Sequence, residues 1–207
     1  SFSFVASHDL QEPLRKIQLF SNMVVEGEQK KISEESLDYL KRVVASADRM
    51  QNLIRDLLQY SQLNTNDDDD MEPTDFSQLI GDSLSELDQR ISQTNAQIDI
   101  RSLPSVPVIA SLVRQVFTNL ILNSIKYGPK KGVPKIAVSI ELPSKEEMLP
   151  LTDLPETSFY KISFTDNGIG FPQEKANRLF EPFYRLHSRD KYEGTGIGLA
   201  ICKKIMT

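Results

Sequence analysis

Residues 112–127 read LVRQVFTNLILNSIKY, a largely apolar stretch that is interrupted by Asn119, Asn123 and Lys126. If the stretch is helical, these three side chains recur at i, i+4 and i+7 and share one side of the helix. Burying such groups without partners costs about 1–3 kcal/mol each. The stripe therefore indicates either a ligand or metal site or a structural network of polar side chains.

A second pattern lies downstream, where residues 162–170 read ISFTDNGIG. The alternation predicts a strand that ends at Asp166 and is followed by Gly168 and Gly170. Glycines permit close approach of the backbone, and an Asp at a strand end can accept a hydrogen bond from an exocyclic amine. A plain Asn-Gly turn is the alternative.

The third pattern is a glycine-rich turn that leads into a helix, EGTGIGLA at residues 193–200. The free N–H groups and the dipole at a helix start favour phosphate. The turn is not a dinucleotide fingerprint, which follows the first strand of a βαβ unit, and no Gly-Lys-Ser/Thr closes it as in a P-loop. Its alternative is a flexible turn without a ligand.

Composition limits the classes of protein that fit. The chain has 207 residues, with 24 Lys and Arg against 29 Asp and Glu and a net charge of −5, which argues against a nucleic-acid surface. A single cysteine, Cys202, excludes an internal disulfide and a cysteine-cluster metal site, and favours a reducing, cytoplasmic compartment. No apolar run approaches the roughly 18 residues of a membrane span, and no short hydrophobic stretch behind a positive N-terminus suggests a secretory signal.

The N-terminal third, residues 1–64, has apolar positions at helical spacing. The pattern predicts a first helix that ends at Glu26 and Gly27, and a second helix of roughly 30 residues that follows Ser33 as N-cap. The apolar faces of both helices are too broad to cover each other. A hairpin that pairs with a second copy into a four-helix bundle is therefore expected, and with it a homodimer.

An acidic run at residues 65–73 reads as a linker. Its aspartates fit a divalent-ion site less well than a solvated hinge. Residues 74–207 have a mixed α/β texture, with helices expected near residues 76–94, 112–127, 173 and 195, and strands near 97–103, 106–110, 136–140 and 160–164. A Pro-rich insert covers 142–158, and the chain stops within an amphipathic helix, so we expect this domain to be C-terminally incomplete.

In their order, the three patterns resemble the nucleotide-contacting boxes of the ATPase superfamily shared by sensor histidine kinases, DNA gyrase, a heat-shock chaperone family and mismatch-repair ATPases. Within it, FEPFYR at residues 180–185 resembles the histidine-kinase phenylalanine box. VASHDLQEPLR at residues 5–15 resembles the phosphoacceptor box in its phytochrome-like variant. The chain thus resembles the dimerisation and catalytic core of a two-component sensor histidine kinase, and the resemblance implies a dimeric four-helix bundle followed by an α/β sandwich ATP-binding domain.

The resemblance also implies roles for single residues. His8 would accept the phosphoryl group and Asp9 would assist it, while Asn123 would hold Mg²⁺ against ATP. The implied ATP contacts are Asn119, Asn123, Lys126, Tyr127, Asp166, Gly168, Gly170, Arg185, Gly194, Thr195, Gly196, Gly198 and Leu199.

The implied activity is ATP-dependent autophosphorylation of His8 followed by transfer to an aspartate of a response-regulator receiver domain. Glu12 stands where the family often has Thr or Asn, which argues against phosphatase activity. Two alternatives stay open at this point: a degenerate kinase that acts as a dimeric scaffold, and a conformational ATPase like the chaperone relatives.

Overall fold

The computed structural model describes residues 2–27, 32–63, 71–101, 104–144, 147, 159–187, 191–192 and 194–206, with side chains from residue 10 onward. These residues belong to two compact units, Ser1–Asn64 with Asn177–Thr207, and Thr65–Ala176. The helices are α1 (Phe2–Gly27), α2 (Glu34–Gln62), α3 (Phe76–Glu86), α4 (Asp88–Thr94), α5 (Ala110–Lys126) and α6 (Gly198–Met206), with a 3-10 helix at Gln173–Phe180. The strands are β1 (Glu72–Asp75), β2 (Gln97–Ile100), β3 (Ser105–Val108), β4 (Lys135–Glu141) and β5 (Lys161–Asp166).

The first unit contains the predicted helical hairpin, in which α1 packs along α2. The first helix ends at Gly27, and Ser33 caps the second helix by accepting a hydrogen bond from the Ser36 amide at 3.2 Å. Both predictions are confirmed. Between the helices, the Gln18 amide nitrogen donates to Asp48 Oδ1 and, at 3.2 Å, to Gln51 Oε1. This polar bridge fixes the register of the hairpin.

Large apolar side chains remain exposed on both helices of the hairpin. Leu14 and Ala47 are buried where the helices meet, whereas Phe20 is 61% exposed and Met50 is 50% exposed. The hairpin therefore leaves much of its apolar surface uncovered, as the breadth of the two periodic patterns predicts. The other exposed members are Leu10, Ile17, Leu19, Met23, Val24, Val43 and Leu57.

Residues 177–207 complete the first unit and end in α6. The helix buries Ala200, Ile201 and Cys202, together with Ile197 just before it. A single cysteine in an amphipathic helix is expected to pack as a small buried side chain, and the burial of Cys202 confirms this. The helix expected near Gln173 is a 3-10 helix rather than an α-helix.

The second unit contains two small sheets. One pairs β1 and β3 antiparallel, and the other has the order β2-β4-β5. In the second sheet β2 runs parallel to β4, with Ile98 opposite Ile136, and β4 runs antiparallel to β5. Ile136, Val138 and Ile140 of β4 are buried, as the alternation in the sequence predicts.

The core of the second unit lies where helices α3 and α5 meet the three-stranded sheet. Phe117 of α5 is fully buried, with its ring centroid 5.9 Å from that of Phe76 and 5.2 Å from that of Phe164. One helix was expected over residues 76–94, but the chain forms two, because Leu87 turns out of the helical conformation and buries its side chain. A helical layer on a sheet confirms the predicted α/β sandwich.

Several predictions fall on segments outside the described residues. These segments include most of the acidic linker, at residues 65–70, and most of the Pro-rich insert, at residues 145–146 and 148–158. Within the part of the chain that is described, no helix has the length and apolar character needed to cross a membrane.

Candidate functional site

Helix α5 carries the polar stripe predicted from the sequence. Its apolar side is buried through Phe117 and Ile121, whereas Asn119, Asn123 and Lys126 are partly buried. The Lys126 ammonium lies 4.4 Å from the centroid of the Tyr127 ring, at the C-terminal end of the helix. The core therefore holds the stripe on a fixed helix while leaving its side chains partly accessible.

The carboxylate of Asp166 is fixed where β5 ends. Its Oδ1 accepts a hydrogen bond from the Gly168 amide at 2.8 Å, and its Oδ2 accepts one from the Ser124 hydroxyl at 3.3 Å. Ser124 is buried on α5 at 8% exposure, but Asp166 itself is exposed. Since each carboxylate oxygen has a second lone pair, the oriented group can still accept a hydrogen bond from a ligand amine.

The turn after Asp166 lies directly against the end of α5. The Ile169 amide donates to the Tyr127 carbonyl oxygen at 2.9 Å. A Cβ atom at Gly168 would collide with that same carbonyl, so the position requires glycine. Gly170 has φ +63°, which is the left-handed region that favours glycine. Asp166, Gly168 and Tyr127 therefore form one wall, built from β5 and α5.

Asn167 secures the other side of this turn. Its Oδ1 accepts a hydrogen bond from the Lys135 amide at 2.8 Å, and its amide nitrogen donates to the Val133 carbonyl at 3.1 Å. The roles of Asn167 and Ser124 were not predicted from the sequence. Their signals were a polar residue inside the DNGIG turn and a second polar residue directly after Asn123.

The second unit thus brings four of its predicted site residues, Lys126, Tyr127, Asp166 and Gly168, into contact and places the others on the same helix and turn. Its predicted members are Asn119, Asn123, Lys126, Tyr127, Asp166, Gly168 and Gly170.

The first unit holds the remaining predicted nucleotide contacts, beginning with Arg185. The Arg185 guanidinium donates to the Gly194 carbonyl at 2.7 Å and also to the Tyr192 carbonyl. In this arrangement the cation braces the loop that leads into the glycine-rich turn. The other predicted members in this unit are Gly194, Thr195, Gly196, Gly198 and Leu199.

The glycine-rich turn packs against the FEPFYR segment. Gly196 has φ +81°, and a Cβ atom there would meet Phe183 C, Tyr184 O and Arg185 Cγ, each at 3.0 Å. Phe183 has φ +66° and donates its amide to the Gly196 carbonyl at 3.0 Å. The phenylalanine box and the glycine box therefore form one folded loop.

Helix α2 contacts this loop, and this contact was not predicted from the sequence. The Thr195 hydroxyl donates to Asp56 Oδ2 at 2.6 Å, and the Lys204 ammonium donates to the Tyr60 carbonyl at 2.8 Å. No local signal in the sequence pairs residues this far apart.

His8 and Asp9 lie in the first turns of α1, so the structure places both on a helix. Their side chains are outside the described part of the chain, and their roles stay predictions.

A metal ion at this site would depend on oxygen ligands from amides and from a nucleotide. Among the described residues, no group of three or more His, Cys, Asp or Glu side chains could hold a metal ion. Mg²⁺ commonly takes one or two protein oxygens and completes its shell with phosphate and water. The partly buried Asn119 and Asn123 amides fit that requirement.

Two protein families match the chain. Residues 2–66 match the His Kinase A (phospho-acceptor) domain. Residues 109–207 match the ATPase family described as histidine kinase-, DNA gyrase B- and HSP90-like. The matches cover both the hairpin and the polar stripe with its glycine boxes.

The relatives of this chain include cyanobacterial phytochromes and a phytochrome-like protein. The chain is 36% identical over 205 residues to phytochrome-like protein Cph1 of Synechocystis, and 35% identical over 205 residues to cyanobacterial phytochrome A of Nostoc. In each case the alignment covers 99% of this chain and 25% of the relative. The chain therefore spans about a quarter of the length of these relatives.

Solved structures of similar fold include the histidine kinase AdeS of Acinetobacter baumannii, with a TM-score of 0.54 and 25% identity over 96% of this chain and 85% of that chain. Full-length ShkA, solved in complex with AMPPNP, has a TM-score of 0.64 at 19% identity over 98% of this chain and 40% of that one. The latter likeness concerns the fold alone.

Proposed function

Since this chain belongs to the sensor histidine kinases, we propose that it is a kinase core that uses ATP to phosphorylate its own His8. The phosphoryl group then passes to an aspartate of a response-regulator receiver domain. The observation that carries the proposal is the Asp166 carboxylate, which is held by the Gly168 amide and the Ser124 hydroxyl beside a position without room for a side chain. This arrangement suits an adenine amine facing a flat backbone wall.

The transfer needs a neutral imidazole near the γ-phosphate. A neutral imidazole has one ring nitrogen with a free lone pair, and His8 would attack through that nitrogen. A ring nitrogen of His8 forms the new N–P bond while the bond from the γ-phosphorus to the ADP oxygen breaks. The imidazole proton passes to a base, and Asp9, the next residue along α1, is our candidate.

Positioning and charge neutralisation do most of the work in phosphoryl transfer. We assign Asn123, with help from Asn119, to a bound Mg²⁺, which would neutralise charge on the phosphate oxygens. Lys126 stands one helical turn after Asn123 and would add a second positive charge. Tyr127 and the glycines at 168 and 170 would line the base, and residues 194–199 would enclose the phosphates.

The exposed apolar faces of α1 and α2 favour a homodimer. Phe20 and Met23 are 61% and 59% exposed, a degree of exposure that a second hairpin would reduce. The matched phospho-acceptor family supports the same assembly. We place the dimer in the cytoplasm, where a receiver domain would meet it.

The decisive test is labelling with γ-labelled ATP and Mg²⁺, followed by acid and base treatment of the labelled protein. The chain has two histidines, so His8→Gln and His187→Gln form a matched pair. We expect acid-labile, base-stable label in the parent and in His187→Gln, and none in His8→Gln. Asp166→Asn should lose most of the label through weaker nucleotide binding.

Label that persists in His8→Gln would contradict the assignment of the acceptor. A folded parent protein that binds ATP but takes up no label would favour the degenerate scaffold.

A further inference from the structure

The glycine-rich turn is held on helix α2 by a charged hydrogen bond within the first unit. The Thr195 hydroxyl lies 2.6 Å from Asp56 Oδ2, and both residues are partly buried. A hydrogen bond to an ionised acceptor is stronger than one between neutral groups. The contact is therefore a strong tie between the turn and the helix.

Further contacts close to this tie hold the same segment. The Lys204 ammonium of α6 donates to the Tyr60 carbonyl of α2 at 2.8 Å and lies 4.8 Å from the centroid of the Tyr60 ring. A groove of about 210 Å³ lies beside the tie, lined by α2 on one side and by residues of the folded loop on the other. The lining residues are Met50, Leu53, Ile54, Leu57, Phe183, Arg185 and Thr195.

The hydrogen bond between Asp56 and Thr195 brings a negative charge close to the start of α6. Thr195 lies just before α6, and its hydroxyl oxygen also accepts a hydrogen bond from the Ile197 amide at 3.4 Å. The start of a helix carries a partial positive charge that attracts an anion. The Thr195 hydroxyl therefore links the Asp56 carboxylate to the backbone at the start of α6, which is the backbone that would bind nucleotide phosphates.

We propose that Asp56 is an internal competitor of those phosphates. Its carboxylate holds Thr195 and keeps the glycine-rich turn on α2, and this contact must break before the turn can close on a triphosphate. Two negative groups at one helix start repel each other, so nucleotide binding and docking exclude each other. The inference rests on the proposed function, since it concerns the nucleotide site of the same kinase.

Asp56 could instead have a positioning role that favours phosphoryl transfer. Gln18 of α1 bonds to Asp48 and Gln51 of α2, and these bonds set the register of the hairpin. In that register, Asp56 lies about one helical turn along the hairpin axis from the backbone position of His8. A residue there could instead hold the loaded turn beside the acceptor. Loss of a competitor strengthens nucleotide binding, whereas loss of such a positioning residue slows transfer without strengthening binding.

The test compares the parent protein with Asp56→Asn, which keeps a hydrogen-bond acceptor and removes the charge. Asp38→Asn is the matched control, because it removes the same charge from an exposed position on the same helix, where Asp38 pairs with Arg42 at 2.7 Å. Binding of ATP with Mg²⁺ is measured by calorimetry at about 0.1 M and about 1 M salt, where the Debye length falls from about 10 Å to about 3 Å.

We expect Asp56→Asn to bind ATP about threefold to tenfold more tightly at the lower salt concentration, as suits one partly buried charge. The gain should shrink at the higher concentration, and Asp38→Asn should match the parent. Amide exchange at residues 196–199 should be faster in Asp56→Asn without nucleotide, because the tie is weakened.

Equal or weaker ATP binding by Asp56→Asn overturns the inference and leaves the proposed function in place. A slower transfer rate at unchanged affinity does the same and favours the positioning role. If neither protein binds ATP, the proposed function fails, and the inference fails with it.

Discussion

At Gly168 the backbone of the DNGIG turn approaches the Tyr127 carbonyl too closely for any side chain. We predict that Gly168→Ala lowers the free energy of unfolding of the second unit by about 2–4 kcal/mol, because a backbone atom has to move. It should also weaken ATP binding at least tenfold, since the wall beside Asp166 shifts. Denaturant unfolding and calorimetry measure the two effects.

Gly81→Ala is the matched control for that substitution. Gly81 lies inside α3, and a Cβ atom there meets nothing within 4 Å. Alanine should therefore stabilise the helix by about 0.5–1 kcal/mol and leave ATP binding unchanged. Equal effects of the two substitutions would show that the close approach at Gly168 does not matter.

Ser124 offers a second prediction at the residue scale. Ser124→Ala removes a hydroxyl that donates to Asp166 Oδ2 at 3.3 Å and leaves the bond from the Gly168 amide to Oδ1 in place. We expect about threefold to tenfold weaker ATP binding, equivalent to the net worth of one ordinary hydrogen bond, because this contact is long at 3.3 Å. Calorimetry measures the change.

Ser83 provides the comparison, because it is also buried in the second unit but donates its hydroxyl to the Leu79 carbonyl of its own helix. Ser83→Ala should leave ATP binding as it is. A similar loss of affinity in both variants would contradict a specific role for Ser124.

The residues proposed for the site belong to contiguous patterns in the sequence, whereas residues that act through tertiary contacts were not predicted. Asp166 and Gly168 stand two residues apart, so their relation is visible in the sequence. Ser124 bonds Asp166 across 42 positions and Thr195 bonds Asp56 across 139 positions, and no local pattern shows which residue each of them contacts. Such pairs depend on how the elements pack.

Among the elements, helix ends with chemical signals were predicted best. Ser33 with two glutamates after it marked the start of α2, and Gly27 marked the end of α1. The break at Leu87 was missed because a leucine resembles any other apolar position of a helix. Its side chain is 7% exposed, so burial decides the local conformation there.

At one end of strands β4 and β5, Lys161 forms ion pairs with two glutamates, and these pairs make the stability of the fold depend on pH. Lys161 lies opposite Glu141, and its ammonium is 2.8 Å from Glu147 Oε1 and 3.3 Å from Glu141 Oε1. Lys161, followed by the Ser144 amide, lowers the pKa of Glu147 from 4.5 to about 2. The same two glutamates raise the pKa of Lys161.

We therefore predict that the Glu147 carboxyl titrates near pH 2 in an NMR titration. Because this pKa is lowered on folding, the pair contributes stability above about pH 4.5, and the contribution is lost as the pH falls toward 2. In Lys161→Gln the pKa should rise toward 4.5, and in Lys135→Gln it should stay low. A Glu147 pKa near 4.5 in the parent would refute the pairing.

At the scale of the whole molecule, the uncovered apolar face of the hairpin predicts its assembly. Phe20→Glu places a charge on a side chain that is 61% exposed in the single hairpin and would be buried in a four-helix bundle. We expect the dimer to dissociate at least tenfold more readily, because burying an unpaired carboxylate is costly. Sedimentation equilibrium measures the change.

Leu142→Glu is the control for the dimer prediction. Leu142 is 66% exposed but follows β4 in the second unit. This substitution should leave the dimer intact. If both variants remain dimeric, the dimer does not form through this face of the hairpin.

The order of the sequence patterns predicted a helical part followed by an α/β part, and the structure agrees. The sequence could not predict that residues 177–207 group with the hairpin, because the grouping depends on contacts such as that between Lys204 and Tyr60. The boundaries at residues 64 and 74 stay predictions, since most of the linker lies outside the described residues.

The parallel pairing of β2 with β4 has a consequence for how the chain is made. Gln97 pairs with Lys135, so β2 can pair only after helix α5 and strand β4 have been synthesised. Helices α1 and α2, in contrast, follow each other directly in the sequence. Local helical contacts form in microseconds to milliseconds, and distant strand pairs take milliseconds to seconds. During synthesis the edge of β2 is therefore open after the hairpin has formed, and it is there that another unfinished chain would add a strand and begin to aggregate.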